Sequence, residues 1–282
     1  MQHERFGGMR NDTAKTPTEE ELRIAEKAYE ESDPTDYSSL PIRTPLEEKG
    51  VVETYGYKIL TDGVDTYYAL PESTHPQKQL IVQRLLKGIV NVSDLTTHGE
   101  GETKSFVSKE APLEKIRKNA SDDEIFADLA LLTDVFDDAD RSYYPKDPRG
   151  YGIPQHNLTY ANGRVSHYDF SEATISERDT RVTPPRETVA TLEHELQKIT
   201  QLTERFKGED GKQFFFSILK DSNAEIRDLF PHVFEGVKDS SDQDEKYLYS
   251  VFMNRLEHVS KTLQELIGKK QEGAKKTVEP AS

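Results

Sequence analysis

The apolar positions of this chain fall into two regimes, a short-period one followed by a helical one. Val51-Val52-Glu53-Thr54-Tyr55-Gly56-Tyr57-Lys58-Ile59-Leu60 and Asp65-Thr66-Tyr67-Tyr68-Ala69-Leu70 are rich in Val, Tyr and Ile and are joined through Asp62-Gly63. Such runs read as strands around a turn, and Pro71 stops them. From Pro76 onward, Leu80, Ile81, Leu85 and Leu86 recur on one face and predict a helix over 76–88. A further strand pair is expected at Ile89–Leu95 and Lys104–Ser108, flanking His98-Gly99-Glu100-Gly101.

Beyond Leu113 the period becomes helical. Ser121-Asp122-Asp123-Glu124 is a capping box, followed by the stripe Ile125, Phe126, Leu129, Leu132, Val135 and Phe136. Thr183-Pro184-Pro185-Arg186-Glu187 opens a long helix through Val189, Leu192, Leu196, Ile199, Leu202 and Phe206, closed by Gly208. Residues 212–220 and 224–229 predict two short buried helices. A last helix from about Asp244 carries Leu248, Val251, Phe252, Leu256, Val259, Leu263 and Leu266, with its end expected at Gly268.

Between the two long helical stretches lies one sharp strand signal. Asn162-Gly163 suits a type I′ turn, which needs positive φ at both positions. A hairpin built on it sets Ala161 opposite Arg164, Tyr160 opposite Val165, Leu158 opposite His167 and Asn157 opposite Tyr168. Its open end brings Asn157 and Asp169 within a few ångströms, in front of Phe170. An amide oxygen and a carboxylate placed so suit Mg²⁺, which uses few protein ligands and leaves sites for water and phosphate.

Composition narrows the classes. Only 34% of the 282 residues are hydrophobic and 32% are charged, so part of the chain is expected to lie outside the core. Residues 1–44 are polar, with a short amphipathic helix from Thr16 through Tyr29, and the rest reads as a tail. A net charge of −15 argues against a nucleic-acid partner. The absence of cysteine removes disulfides and thiolate chemistry. No apolar run of membrane-spanning length and no signal-peptide core is present, which gives a cytoplasmic, membrane-free expectation.

Two further clusters bear on chemistry. Asp134, Asp137, Asp138 and Asp140 gather at a helix C-terminus, where each opposes the macrodipole by about 0.3–1 kcal/mol unless a cation or Arg141 compensates. Their bland reading is an acidic, solvated helix end. His194-Glu195 hints at a zinc-protease helix, but position 198 is Lys rather than the second His, so that motif fails.

Asn157-Leu158-Thr159-Tyr160, a turn, Arg164-Val165-Ser166-His167-Tyr168 and then Asp169-Phe170 resembles the metal-binding hairpin of the protein-kinase-like superfamily. The nearer likeness is to its atypical branches, the phosphatidylinositol kinases, aminoglycoside phosphotransferases and toxin-type serine kinases. The resemblance implies an α+β, two-lobed fold, with a small β-rich N-terminal lobe over 45–112 and a larger, mainly helical lobe over 113–268, followed by a tail at 269–282. It implies ATP and Mg²⁺ as cofactors, with Asn157 and Asp169 holding the metal between phosphates. Asp140, in an Asp-Arg pair, is the preferred base, with Asp147 and His156 as alternatives. The family carries a phosphate-pairing Lys on its third strand, a strand that here contains none; Lys58, the candidate nucleotide contact, Lys78 and Lys109 are nearby substitutes at other positions. The missing Lys, and a helix with Gln77, Gln79 and Gln83 but no Glu, equally suit a catalytically degenerate, kinase-like scaffold.

Overall fold

Asp62 and Gly63 turn the chain as their chemistry predicts. In a computed structural model, which describes residues 45–52, 57–92, 95–98, 105–109, 122–138, 158–161, 164–176, 188–220, 223–235 and 245–278, Gly63 has φ +93°. Asp62 Oδ1 accepts from the amides of Val64 (2.9 Å) and Asp65 (2.7 Å), an Asx-type turn. The turn joins β2 (Tyr57–Thr61) to β3 (Thr66–Leu70). With β1 (Glu47–Val52), β4 (Leu95–His98) and β5 (Ser105–Lys109) they form a five-stranded antiparallel sheet of order β1-β2-β3-β5-β4. The run 51–60 is thus two strands rather than one, with Val52 opposite Tyr57. Strand propensity identifies such a run without marking where it divides.

One helix joins this sheet to the rest. α1 (Pro76–Leu86) starts with Pro at its first position, where the missing N–H costs nothing. It is buried nearly all round. Ile81, Val82, Leu85 and Leu86 enter the main core, while Gln83 Oε1 accepts the amide of Leu95 on β4 (3.1 Å). Gly88, at φ +75°, closes the helix, and the amides of Ile89 and Val90 bond back to Leu86 O at 2.9 and 3.0 Å. The strand expected at Ile89–Leu95 is therefore displaced. Ile89 and Val90 bury in the helical core, Val92 makes only an isolated parallel bridge to His167, and the sheet resumes at Leu95.

The remaining described elements are mostly helical: α2 (Asp122–Phe136), α3 (Val189–Phe206), α4 (Gly208–Leu219), α5 (Asn223–Leu229) and α6 (Glu245–Val278), with the hairpin β6 (Leu158–Ala161) and β7 (Arg164–His167) between α2 and α3. The chain is thus α+β, its sheet near the N-terminal side and helices after it. Phe136, Phe170, Phe206, Phe215, Phe230 and Phe252 are fully buried. Phe252 stacks on Phe215 at 5.2 Å and meets Phe206 edge-on at 5.4 Å, which knits α3, α4 and α6 together.

Two helix ends differ from their sequence signals. Thr188 rather than the Thr183 segment caps α3, its Oγ1 accepting from Thr191 N at 3.0 Å. Residues 177–187 lie outside the described set. α6 continues through Gly268 to Val278, where a stop and a tail are expected. Glycine ends a helix by turning left-handed, and Gly268 does not; an interior Gly costs about 1 kcal/mol, and the Lys and Glu residues that follow are good helix formers. Among the described residues no helix is long and apolar enough to cross a membrane.

Candidate functional site

The hairpin forms with Leu158 opposite His167, Tyr160 opposite Val165 and Ala161 opposite Arg164, the register that a two-residue loop predicts. Four-residue strands in a two-stranded sheet are marginal alone, so the pair needs anchors. The end of β7 supplies some. His167 N donates to Asn91 O at 2.9 Å, beside the bridge to Val92, and both the His167 side chain and Phe170 are fully buried.

Between these two fixed residues Asp169 stands in the left-handed region at φ +58°, only partly buried. Its Oδ1 accepts from Ser171 Oγ (2.7 Å) and Ser171 N (3.3 Å). Asp tolerates this conformation better than most residues, but it still costs on the order of 1 kcal/mol, and such strain gathers at working sites. Just beyond, Thr174 N donates to Phe136 O at 2.6 Å. The end of α2 and the segment after Asp169 are thereby tied together.

Behind the hairpin lies a buried charge network. Asp128, in the middle of α2, has Oδ1 2.7 Å from Lys198 Nζ of α3 and Oδ2 3.4 Å from His167 Nε2, the latter at the outer edge of hydrogen bonding. Lys198 Nζ also donates to Ile89 O at 3.1 Å. Burial pushes the Asp128 carboxyl up, but the imidazole of His167 and the ammonium of Lys198 outweigh it, and the group titrates below the ordinary carboxylate value. Four segments meet at this point: α2, β7, α3 and the turn after α1.

The aspartates at the end of α2 have a partner, and it comes from α6. Arg255 is 4% exposed; its Nε donates to Asp134 O (2.6 Å) and its Nη2 to Asp137 Oδ1 (2.8 Å). Asp137 is itself left-handed at φ +44°, and Asp138 is completely buried. A guanidinium at a helix C-terminus offsets both the macrodipole and the acidic cluster.

Of the residues singled out in the sequence, Asp169 is placed as described. Lys58 lies on β2 with a largely exposed side chain, its Nζ 3.1 Å from Glu48 Oε2 on β1. Asn157, Asp140, Arg141, Asp147 and His156 lie outside the described residues. Among the described residues no group of three or more His, Cys, Asp or Glu converges as a metal site. The contacts of Asp128, Lys198 and Arg255 were missed by sequence reasoning, although two of these residues are charges on an apolar stripe: Asp128 between Ile125 and Leu132, Arg255 between Val251 and Val259. No protein-family model matches the chain, and no curated protein matches it in sequence.

Proposed function

We propose that the chain is an ATP- and Mg²⁺-dependent phosphotransferase of the kinase-like superfamily, with Asp169 as a metal ligand and its acceptor unassigned. The observation that carries this reading is the setting of Asp169. A carboxylate in a strained left-handed conformation leaves a hairpin between two fully buried residues and remains partly accessible. A hairpin followed by an Asp-Phe pair is the arrangement on which the resemblance rests. An antiparallel sheet with the α-helix α1 between its third and fourth strands, followed by a mainly helical part, further supports a two-lobed kinase-like organisation.

Asp169 fits a magnesium ion by the chemistry of its donors. Mg²⁺ asks for hard oxygen ligands and takes one or two from protein, filling the rest with water and phosphate. Asp169 would hold it with Asn157, and the ion would neutralise charge on the transferred phosphoryl group. The chain's own part is orientation: Ser171 fixes one carboxylate oxygen, while Phe170 and His167 fix the backbone on either side. Asp140, outside the described residues, remains the proposed base and would accept the proton of the attacking hydroxyl.

A second reading is favoured by β3 and Lys58. β3, Thr66–Leu70, contains no Lys, and Lys58 is engaged with Glu48 at the surface. A chain that binds nucleotide without transferring phosphate, and serves as a scaffold, would have this character. Incubation with ATP labelled at the γ-phosphate separates the two. Phosphate transferred to the chain, to water or to a supplied acceptor, and lost in Asp169→Ala, supports the enzyme; nucleotide binding without transfer supports the scaffold.

A further inference from the structure

We infer that Asp128, His167 and Lys198 are positioning residues for Asp169: their linkage fixes the end of β7 and so sets where the Asp169 carboxylate stands. The inference rests on the proposed metal role of Asp169 and adds to it a set of residues that touch neither metal nor nucleotide.

Three observations support it. The first is where the hairpin is held. Its end at β7 is held by the His167 amide on Asn91 O, the bridge of Val92, the His167 side chain beside Asp128 and the burial of Phe170, each involving a residue within three positions of Asp169.

The second is the choice of chemistry. Placing a buried carboxylate and imidazole beside a partly exposed ammonium within a helical layer gains little stability over hydrophobic residues of similar volume. It does fix direction. Asp128 is held on one oxygen by Lys198 and faces His167 with the other, and Lys198 is itself tied to Ile89 O. With its side chain fully buried, the imidazole of His167 faces a carboxylate held on its other oxygen by Lys198, an electrostatic contact that favours one place against α2 where an apolar contact would tolerate sliding.

The third is continuity. His167 lies two residues before Asp169, with only Tyr168 between, and on the far side Phe170 is fixed in the core. A shift of His167 therefore passes directly to a backbone already held at φ +58°. Residues that orient ligands from behind usually alter metal affinity by about 10–100-fold when mutated.

The test is calorimetric titration of Mg·ATP into the full chain, at a temperature where every variant is folded by circular dichroism. The variants are Asp128→Asn, Lys198→Gln, Lys198→Arg and, as a destabilised control outside the linkage, the core truncation Leu263→Ala. The expected result is Kd weakened about 10–100-fold in Asp128→Asn and Lys198→Gln, recovered to within about threefold by Lys198→Arg, and unchanged in Leu263→Ala. Lys198 is partly exposed, so its variants carry the test if Asp128→Asn does not fold. Wild-type binding with both Asp128→Asn and Lys198→Gln within about twofold of it overturns the inference and leaves the metal role of Asp169 standing. Equal weakening in Leu263→Ala also overturns it, by reducing the linkage to ordinary stability. No Mg·ATP binding by the wild type overturns the metal role and the inference together.

Discussion

Arg255→Ala probes the junction between α6 and the end of α2. The side chain is 4% exposed and makes two directed contacts, Nε to Asp134 O at 2.6 Å and Nη2 to Asp137 Oδ1 at 2.8 Å. Removing one member of a buried pair costs about 3–5 kcal/mol, because the other charge is left without compensation. Asp137 keeps some access to water, its side chain being 19% exposed, which places the expected loss near the lower end, about 3 kcal/mol. At about 2–4 °C per kcal/mol for a chain of this size, the midpoint falls by roughly 6–12 °C. Arg255→Met keeps the apolar stem and should lose about 1 kcal/mol less. Arg255→Lys retains charge but not the fork that serves a carbonyl and a carboxylate at once, and should fall between wild type and Ala. Equilibrium urea unfolding reads these differences as shifts of midpoint at constant slope. A loss below about 1 kcal/mol in Arg255→Ala, the size of a surface pair, would refute the reasoning.

Other consequences are equally direct. Thr188→Ala removes the α3 cap and a 2.6 Å hydrogen bond to Asp123, so urea unfolding should show a loss of about 1–2 kcal/mol, largely restored by Thr188→Ser. Asp123 sits below the ordinary carboxylate value first because of Thr188 and then Thr191, so its titration, followed by NMR, should rise in Thr188→Ala. At Gly211 an added Cβ would fall within 2.7 Å of Phe206 Cα and closer still to its carbonyl group; Gly211→Ala should cost at least about 1–3 kcal/mol by thermal unfolding, against a few tenths at an open helical glycine such as Gly268→Ala, where the sign is stabilising. Asp128 contributes stability that is fully present above the ordinary carboxylate pKa and is lost as pH falls through its depressed folded value. The stability gap between wild type and Asp128→Asn should therefore narrow as pH falls below about 4, the ordinary carboxylate range; a gap that goes on widening below that pH contradicts the sign.

Where local chemistry decides structure, the sequence was readable. Asp62-Gly63 needs one turn, and the Asn162-Gly163 signal sets a register that β6 and β7 adopt; α1, α2 and the middle of α3 follow from spacing alone. Legibility failed where distant contacts choose among local options. Ile89 and Val90 are good strand formers, but Gly88 and the helical core claim them, and Gly268 is as compatible with continuation as with an end. At the site, the exit of the hairpin at Asp169 was legible, its strained backbone was not. Asp128 and Arg255 each stand out as a charge on an apolar stripe, which signals a buried partner without naming it. The Arg255 contact to Asp137 spans 118 positions, and no local pattern links residues so far apart.

The central claim is that Asp169 serves a Mg·ATP site, and thermal unfolding of the wild type and of Asp169→Ala, with ATP and with and without Mg²⁺, tests it most directly. A ligand at a hundredfold excess over Kd that binds only the native state adds about 2.7 kcal/mol. For a chain of this length that is roughly 5–10 °C. The account predicts a Mg²⁺-dependent rise of this size in the wild type that Asp169→Ala loses, while that variant remains folded without ligand. No rise in the wild type at millimolar ATP and Mg²⁺, or an equal rise in Asp169→Ala, would contradict it.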